Sequence, residues 1–357
     1  MYNLSYLYIV KSLCITERDE KIMLDYLSYL KGKRVLITGG AGTIGNVLVK
    51  KLLQLKAYVI VIDNLSSGFL WNLPTENKNL LFIEGDITND IDLKRIFYEK
   101  PDIIFHLAAF FANPNSINYP EKDLDTNGLG TLKLLEYSSV YNNLERFVYS
   151  SSSSIYPSNG KMPYNEGQKN YHFRTPYQIT KLLGELYCNF YYHHNELPIT
   201  IARFFNSYGP GEIPGRNRNV IANFFYWALQ GKSLPITGTG EETRDFTYVE
   251  DIVDGLLRMA YYKQAIGEVF NLGTGREVKI MHLAETINKI TGNNSGVKIL
   301  PRRPWDNKLR VLSSSTKAKE LLYFNPTTTL EQGLNKTVIW FKQNWDKIIR
   351  STDLPNK

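Results

Sequence analysis

The stretch 33–38, Lys-Arg-Val-Leu-Ile-Thr, is an apolar run bounded by charge on one side and glycine on the other. A continuous run of that length is what a parallel strand buried on both faces requires. Comparable runs return at 58–62, 80–84, 102–106, 145–150 and 199–203, separated by segments of helical period such as 46–56. Strand and helix in alternation predict an α/β fold built on a doubly wound parallel sheet, with ligands at the carboxyl ends of the strands. After Asn206 the pattern changes. A Gly/Pro-rich loop runs through Pro214 and Gly215, and 219–230 reads as a helix. The stretch 243–249 reads as one strand returning near the site, 251–261 as a helix and 268–272 as a further strand. From Val278 onward the chain is mainly helical, with a short strand at 297–300 and a helix start at 313–315.

The chemistry falls at the strand ends. Gly39-Gly40-Ala41-Gly42-Thr43-Ile44-Gly45 follows the first strand, where glycines allow a tight turn and a close approach of backbone to a pyrophosphate at a helix N-terminus. Asp63 ends the second strand, 18 residues after Gly45. A carboxylate there accepts bonds from ribose hydroxyls and repels a 2′-phosphate, which favours NAD over NADP; its other use is to cap the following turn. Asp86 of Gly85-Asp86-Ile87 is placed to meet an adenine amine, and Leu107, Ala108 and Ala109 give the backbone a passage beside the pyrophosphate. Asn64, Ile87 and Asn127 complete the cofactor candidates.

Ser150 to Ser154 follow the fifth strand, just before a helix carrying Tyr177 and Lys181. Residues four apart lie one above the other on a helix, so the Lys181 ammonium is expected near the Tyr177 phenol, favouring its ionised form. Lowering a phenol from ~10 by ~3 units takes about 4 kcal/mol, which one lysine and a cationic nicotinamide ring together can supply. The same spacing recurs at Tyr29 and Lys33, which read as a solvated approach segment because Gly32 interrupts them before any cofactor strand.

Taken together, Thr38 to Gly45, Asp63-Asn64-Leu65-Ser66-Ser67-Gly68, Ser150 to Tyr156, Tyr177 to Lys181, Arg203 to Gly211, Arg244 to Asp251 and Arg303-Pro304-Trp305-Asp306 resemble the extended short-chain dehydrogenase/reductases of the nucleotide-sugar epimerase and dehydratase family. The resemblance runs over about 33–347 and is most like the UDP-glucose 4-epimerase type. It implies a Rossmann-type sheet at 33–205, to which 240–272 returns, and a smaller, mainly helical nucleotide-sugar-binding domain at 206–239 and 273–347. It also implies that Ser152 holds the sugar oxygen beside Tyr177, with Ser153 next to it. Asn206, Arg244 and Arg303 match positions that hold the nucleotide diphosphate, and Asp306 one that contacts the nucleoside. Guanidinium forks suit a diphosphate on general grounds, although Arg303 is open to being simply exposed, like Arg302 and Arg310 near it. Arg203 ends a strand and reads as the partner of a carboxylate, outside the site.

The family's 4,6-dehydratases carry Asp then Glu after the serine, its decarboxylases a glutamate at the second of these positions, and the GDP-fucose synthase type a cysteine there. This chain has Ser153 and Ser154, which do not titrate near neutrality. Ile155-Tyr156-Pro157 resembles the fucose synthase pattern, because most epimerases have glycine in place of Pro157. The expected reaction is 4-epimerisation by hydride removal and return at C4, with a nucleotide-sugar 4-dehydrogenase or ketoreductase as the alternative. Aromatic-rich helices within 124–141 and 182–192 match a pair that often builds a homodimer seam in this family; ordinary core is the other reading. Phe110, Phe111 and Asn113 are expected on one wall of the sugar pocket, and Pro235 and Ile236 beside the base.

Composition adds limits. The net charge of +7 is dispersed, with no basic stripe interleaved with aromatics, so an anionic nucleotide sugar rather than nucleic acid is the expected partner. Cys14 and Cys188 make no disulfide framework and no metal-ligand spacing, which points to no metal and a reducing cytoplasm. His106, His193 and His194 read as packing or surface residues. The extension 1–32 has an apolar start too short to span a bilayer and without the pattern of a signal peptide, so no stable membrane insertion is expected. A peripheral contact through Leu4, Tyr6, Leu7, Tyr8 and Ile9 stays open, and 20–30 is expected to form a helix against the first strand.

Overall fold

A computed structural model describes residues 26–355 except 142, 305 and 307. The expectations for the apolar start, Cys14 and Trp305 lie outside the described residues. In chain order the strands are β1 (Arg34–Thr38), β2 (Tyr58–Asp63), β3 (Leu80–Glu84), β4 (Ile103–His106), β5 (Arg146–Ser152), β6 (Ile199–Phe204), β7 (Asn206–Tyr208), β8 (Leu234–Thr237), β9 (Thr243–Arg244), β10 (Phe246–Tyr248), β11 (Val269–Leu272), β12 (Val278–Lys279) and β13 (Val297–Leu300). The helices that matter below are α1 (Thr43–Gln54), α2 (Asp90–Tyr98), α3 (Gly130–Ser139), α4 (Pro176–Asn195), α5 (Val220–Leu229), α6 (Val249–Tyr261), α7 (Ile280–Thr291), α8 (Thr316–Leu322) and α9 (Leu330–Gln343).

Seven strands form one parallel sheet in the order β11-β6-β5-β4-β1-β2-β3. The alternation of side chains explains why its strands are apolar throughout. Val35, Ile37, Val59 and Val61 pack on one face against Leu48, Val49 and Leu52 of α1 and Ile252 and Leu256 of α6. Leu36, Ile60, Ile62 and Ile104 pack on the other against Leu93 and Ile96 of α2, Leu134 of α3 and Cys188 of α4. Strand order reverses at β1, which pairs with β2 on one side and β4 on the other, so a crevice opens at the carboxyl ends there.

A separate core joins Phe224 and Phe225 of α5, Leu283 and Ile287 of α7, and Leu334 and Phe341 of α9. The parallel pair β8–β13 belongs to this region. The expected single strand at 243–249 is instead two. β9 pairs antiparallel with β12 and β10 pairs parallel with β7, while Asp245 breaks the run between them. Its fully buried carboxylate accepts from Thr274 N and Oγ1, Gly275 N, and Ser313 N and Oγ, a demand that a straight strand would not meet. The segment after β13 runs back past β9, and Ser315 precedes α8, as the serine run suggests.

Candidate active site

The crevice is lined by the glycine turn, the ends of β2, β3, β4 and β5, the start of α4 and the loop after β7. Its geometry fits a dinucleotide. A Cβ at Gly45 would run into the Gly39 carbonyl oxygen, and Gly39 has φ +72°, so both positions require glycine for the turn to close at the N-terminus of α1. Gly42, Thr43 and Ile44 line the crevice from that turn. Asp63 accepts from Ala41 N and Leu65 N, both at 2.9 Å, which pins the turn to the end of β2. It therefore caps the following turn and faces the crevice as well. Asp86 takes the Asn64 amide at 2.8 Å, so the two cofactor candidates on neighbouring strands hold each other. Ile87, Leu107, Ala108 and Ala109 complete that wall.

Asn127 departs from its expected place. It is buried and not itself among the lining residues; it accepts from the N of the lining Phe110 at 2.8 Å and donates to Asp123 Oδ1 at 2.8 Å, so its amide fixes the Phe110 loop. Asp123 in turn accepts from Thr180 Oγ1 at 2.7 Å.

Tyr177, Lys181, Ser152 and Ser153 meet on the floor of the crevice. Pro176 at the first turn of α4 fixes its start just before Tyr177. Burial pushes the Tyr177 phenol above its ordinary value, and the neighbouring Ser152 hydroxyl draws it partly back. Burial thus dominates the phenol, and the Lys181 ammonium alone does not bring it below its ordinary value. Lys181 Nζ bonds the Ser150 carbonyl at 2.8 Å and lies 5.9 Å from the Tyr177 ring centroid; its own pKa is lowered to about 8 by burial. Arg203 stays outside, as expected. It grips Glu185 with bonds of 2.9 and 2.7 Å and also reaches the Tyr156 hydroxyl, and Glu185 receives the Ser151 hydroxyl. A buried ion pair thus backs the serine turn.

Asn206, Phe110 and Phe111 line the crevice, whereas Asn113 bonds Thr175 Oγ1 and is not among the lining residues. Arg244, Arg303 and Asp306 are not in the lining either. Arg244 pairs with Asp306 at 3.1 Å and Arg303 is exposed, so of the diphosphate and nucleoside candidates Asn206 alone lines the crevice while the others form a rim. Arg302, beside Arg303, pairs with Glu242. Pro235 and Ile236 lie on β8.

Several crevice residues went unmarked in the sequence. Lys122, Glu212, Arg218 and Asn219 line it; Glu212 is almost fully buried, and burial, opposed by Arg218, pushes its pKa up to about 7. Asn219 begins a helix and Glu212 sits in a Gly/Pro-rich loop, so neither carries a local pattern that marks a ligand group. Lys308 bonds the Ser153 and Ser154 carbonyls, both at 3.1 Å. His106 is a packing residue, its nitrogens at 2.7 Å from Thr38 Oγ1 and 2.9 Å from Thr131 Oγ1 and its pKa lowered by burial to about 3. Tyr29 and Lys33 both reach Glu145, far from the crevice.

The model of the NAD dependent epimerase/dehydratase family matches residues 35–273, which hold the glycine turn, Ser152, Tyr177 and Lys181. The chain belongs to that family. It is 52% identical to a solved epimerase of Methanothermobacter thermautotrophicus, with TM-score 0.90, 92% of this chain and 97% of that one being covered. A UDP-glucose 4-epimerase of Thermotoga maritima, solved with UDP-glucose, is 37% identical with TM-score 0.83, covering 87% of this chain and 99% of that one. UDP-glucuronic acid decarboxylase 1 of Xenopus tropicalis is 32% identical over 92% of this chain and 77% of its own length. This epimerase/dehydratase chain is accordingly NAD-dependent, with a Rossmann-type α/β fold. Among its described residues no helix is long and apolar enough to cross a membrane.

Proposed function

We propose that the protein is an NAD-dependent nucleotide-sugar 4-epimerase that works through a 4-keto sugar. The observation that carries this reading is the placing of Ser152, Tyr177 and Lys181 in the same crevice as the glycine turn, with no carboxyl or thiol at 153 or 154 on the serine turn. Gly39, Gly42, Gly45, Asp63 and Lys181 would hold NAD, which supplies reversible two-electron chemistry at the sugar carbon when bound. The chain's own residues bind, orient and move one proton. Ser152 holds the C4 oxygen against Tyr177; the phenolate takes the hydroxyl proton as C4 becomes a ketone and returns it when the ketone is reduced on its other face. Burial opposes that phenolate, each pKa unit being worth about 1.4 kcal/mol, so positive charge from Lys181 and from the oxidised cofactor ring must stabilise it. Asn206, Arg244 and Arg303 receive the nucleotide diphosphate, and Asp306 the nucleoside. The lobe at 206–239 and 273–347 closes over it.

Loss of water across C5 and C6, or decarboxylation, asks for proton-transfer groups on the serine turn. Ser153 and Ser154 supply none, which supports epimerisation over dehydration or decarboxylation. The test is to give the purified holoenzyme UDP-glucose, UDP-GlcNAc, UDP-glucuronate and GDP sugars and to read products by NMR. At least one should yield its C4 epimer without NADH accumulating. Accumulating NADH with a trapped 4-keto sugar would favour a 4-dehydrogenase, and no epimer from any of them sinks the proposal.

A further inference from the structure

Lys308 is the one lysine in the described structure whose ammonium bonds carbonyls of the turn that carries Ser152. It belongs to the segment between β13 and α8, on the rim with Arg303 and Asp306, and reaches across to β5. Two of the N–H donors of its ammonium go to Ser153 O and Ser154 O as charge-assisted bonds, and its nitrogen lies 5.4 Å from the Tyr164 ring centroid. The Ser154 hydroxyl beside it is buried with no partner. The charged and titratable groups that bear on Lys308 from the elements packed on it are Arg244 of β9, which pairs with Asp306, then Asp306 itself, and Tyr164 under its ammonium.

We propose that Lys308 is a positioning residue, fixing the turn that carries Ser152 and coupling its placement to a diphosphate bound at Arg244. The inference rests on the reading above only for what occupies the rim. A diphosphate beside Arg244 adds negative charge near Lys308, which favours the ammonium and tightens both carbonyl bonds. Serine and phenol then meet the sugar oxygen in the reactive geometry. Burial, then Arg244, lowers Lys308 to about 7 while Asp306 raises it, so near neutrality part of the population is the neutral amine, whose carbonyl bonds lack charge assistance. Binding of a dianion should therefore be accompanied by proton uptake. Nothing in the local pattern singles this lysine out, since a long basic side chain in a polar loop is commonly solvated.

Two variants and one linked measurement test it. Calorimetry of UDP-glucose and UDP-GlcNAc binding to holoenzyme, in two buffers of different ionisation enthalpy, should show net uptake of a fraction of a proton at pH 7 as Lys308 becomes fully charged. Lys308→Met should abolish that uptake and lower kcat about tenfold with a smaller change in KM, the mark of misplacement rather than lost binding. Lys308→Arg, whose guanidinium can still donate to both carbonyls, should recover most of kcat while remaining without uptake. Equal uptake in wild type and Lys308→Met, absence of binding by both sugars, or wild-type kcat in Lys308→Met, each overturns the inference. Lys308-dependent uptake in an enzyme that makes no C4 epimer would instead sink the proposed reaction and leave this one standing.

Discussion

Replacing Lys181 by methionine should make the protein more stable and inactive at once. Lys181 is 3% exposed, its ammonium bonds one carbonyl, and burial lowers its pKa from 10.5 to about 8. A shift of about 2.5 units corresponds to about 3 kcal/mol of cost in the folded state at pH 7. The sign follows from proton counts. Below pH 8 both states hold the proton and the folded state carries the full cost; between 8 and 10.5 the unfolded chain holds more protons than the folded one, so stability rises with pH and the cost disappears. Methionine of similar length removes the charge without opening a cavity. With an unfolding entropy near 0.7 kcal/mol/K for a chain of this size, Lys181→Met should gain about 4 °C in melting temperature at pH 7. The gain should shrink toward zero as pH approaches 10.5. The assay is thermal and urea unfolding of NAD-free protein across pH, since bound cofactor adds its own stabilisation. Product NMR should show turnover lost. A Lys181→Met protein that is no more stable than wild type at pH 7 would refute the reasoning that this lysine is kept buried for chemistry at the expense of stability.

Two further outcomes follow from the packing. Glu185→Gln and Arg203→Met should each cost about 3–5 kcal/mol by leaving a buried partner uncompensated, and the double variant should cost much less than their sum; additivity within about 0.5 kcal/mol would contradict a coupled pair. Ile179, Leu186 and Phe190 of α4 are all about half exposed, as are Leu124 and Leu129. The account therefore predicts a dimer for the wild type and a monomer for Leu186→Glu with Phe190→Glu by light scattering; an unchanged mass would remove that face as the seam.

The fold was legible because each central strand is apolar on both faces and ends in glycine, charge or serine, a demand that parallel packing imposes locally. The glycine turn was legible for the same reason: Gly39 and Gly45 are fixed by backbone closure, which depends on few distant residues. The break at Asp245 was not, since it answers to donors at Thr274, Gly275 and Ser313, which approach only in the folded chain. Asn127 carried a cofactor motif position but spends its amide on Phe110 and Asp123. The Tyr177–Lys181 spacing placed both groups correctly and misjudged their electrostatics. Helical spacing gives proximity, whereas the pKa values follow first from burial. Lys308, Glu212 and Asn219 lie in loops or at a helix start, where side-chain direction is set by tertiary contacts.

The most direct test of the central claim uses the nucleotide sugar that turns over, deuterated at C4. The account predicts a C4 epimer that keeps its deuterium at C4 in ordinary water, because the hydrogen leaves and returns within one closed site. Washing of that label into solvent, or a product whose C4 configuration is unchanged, would contradict it.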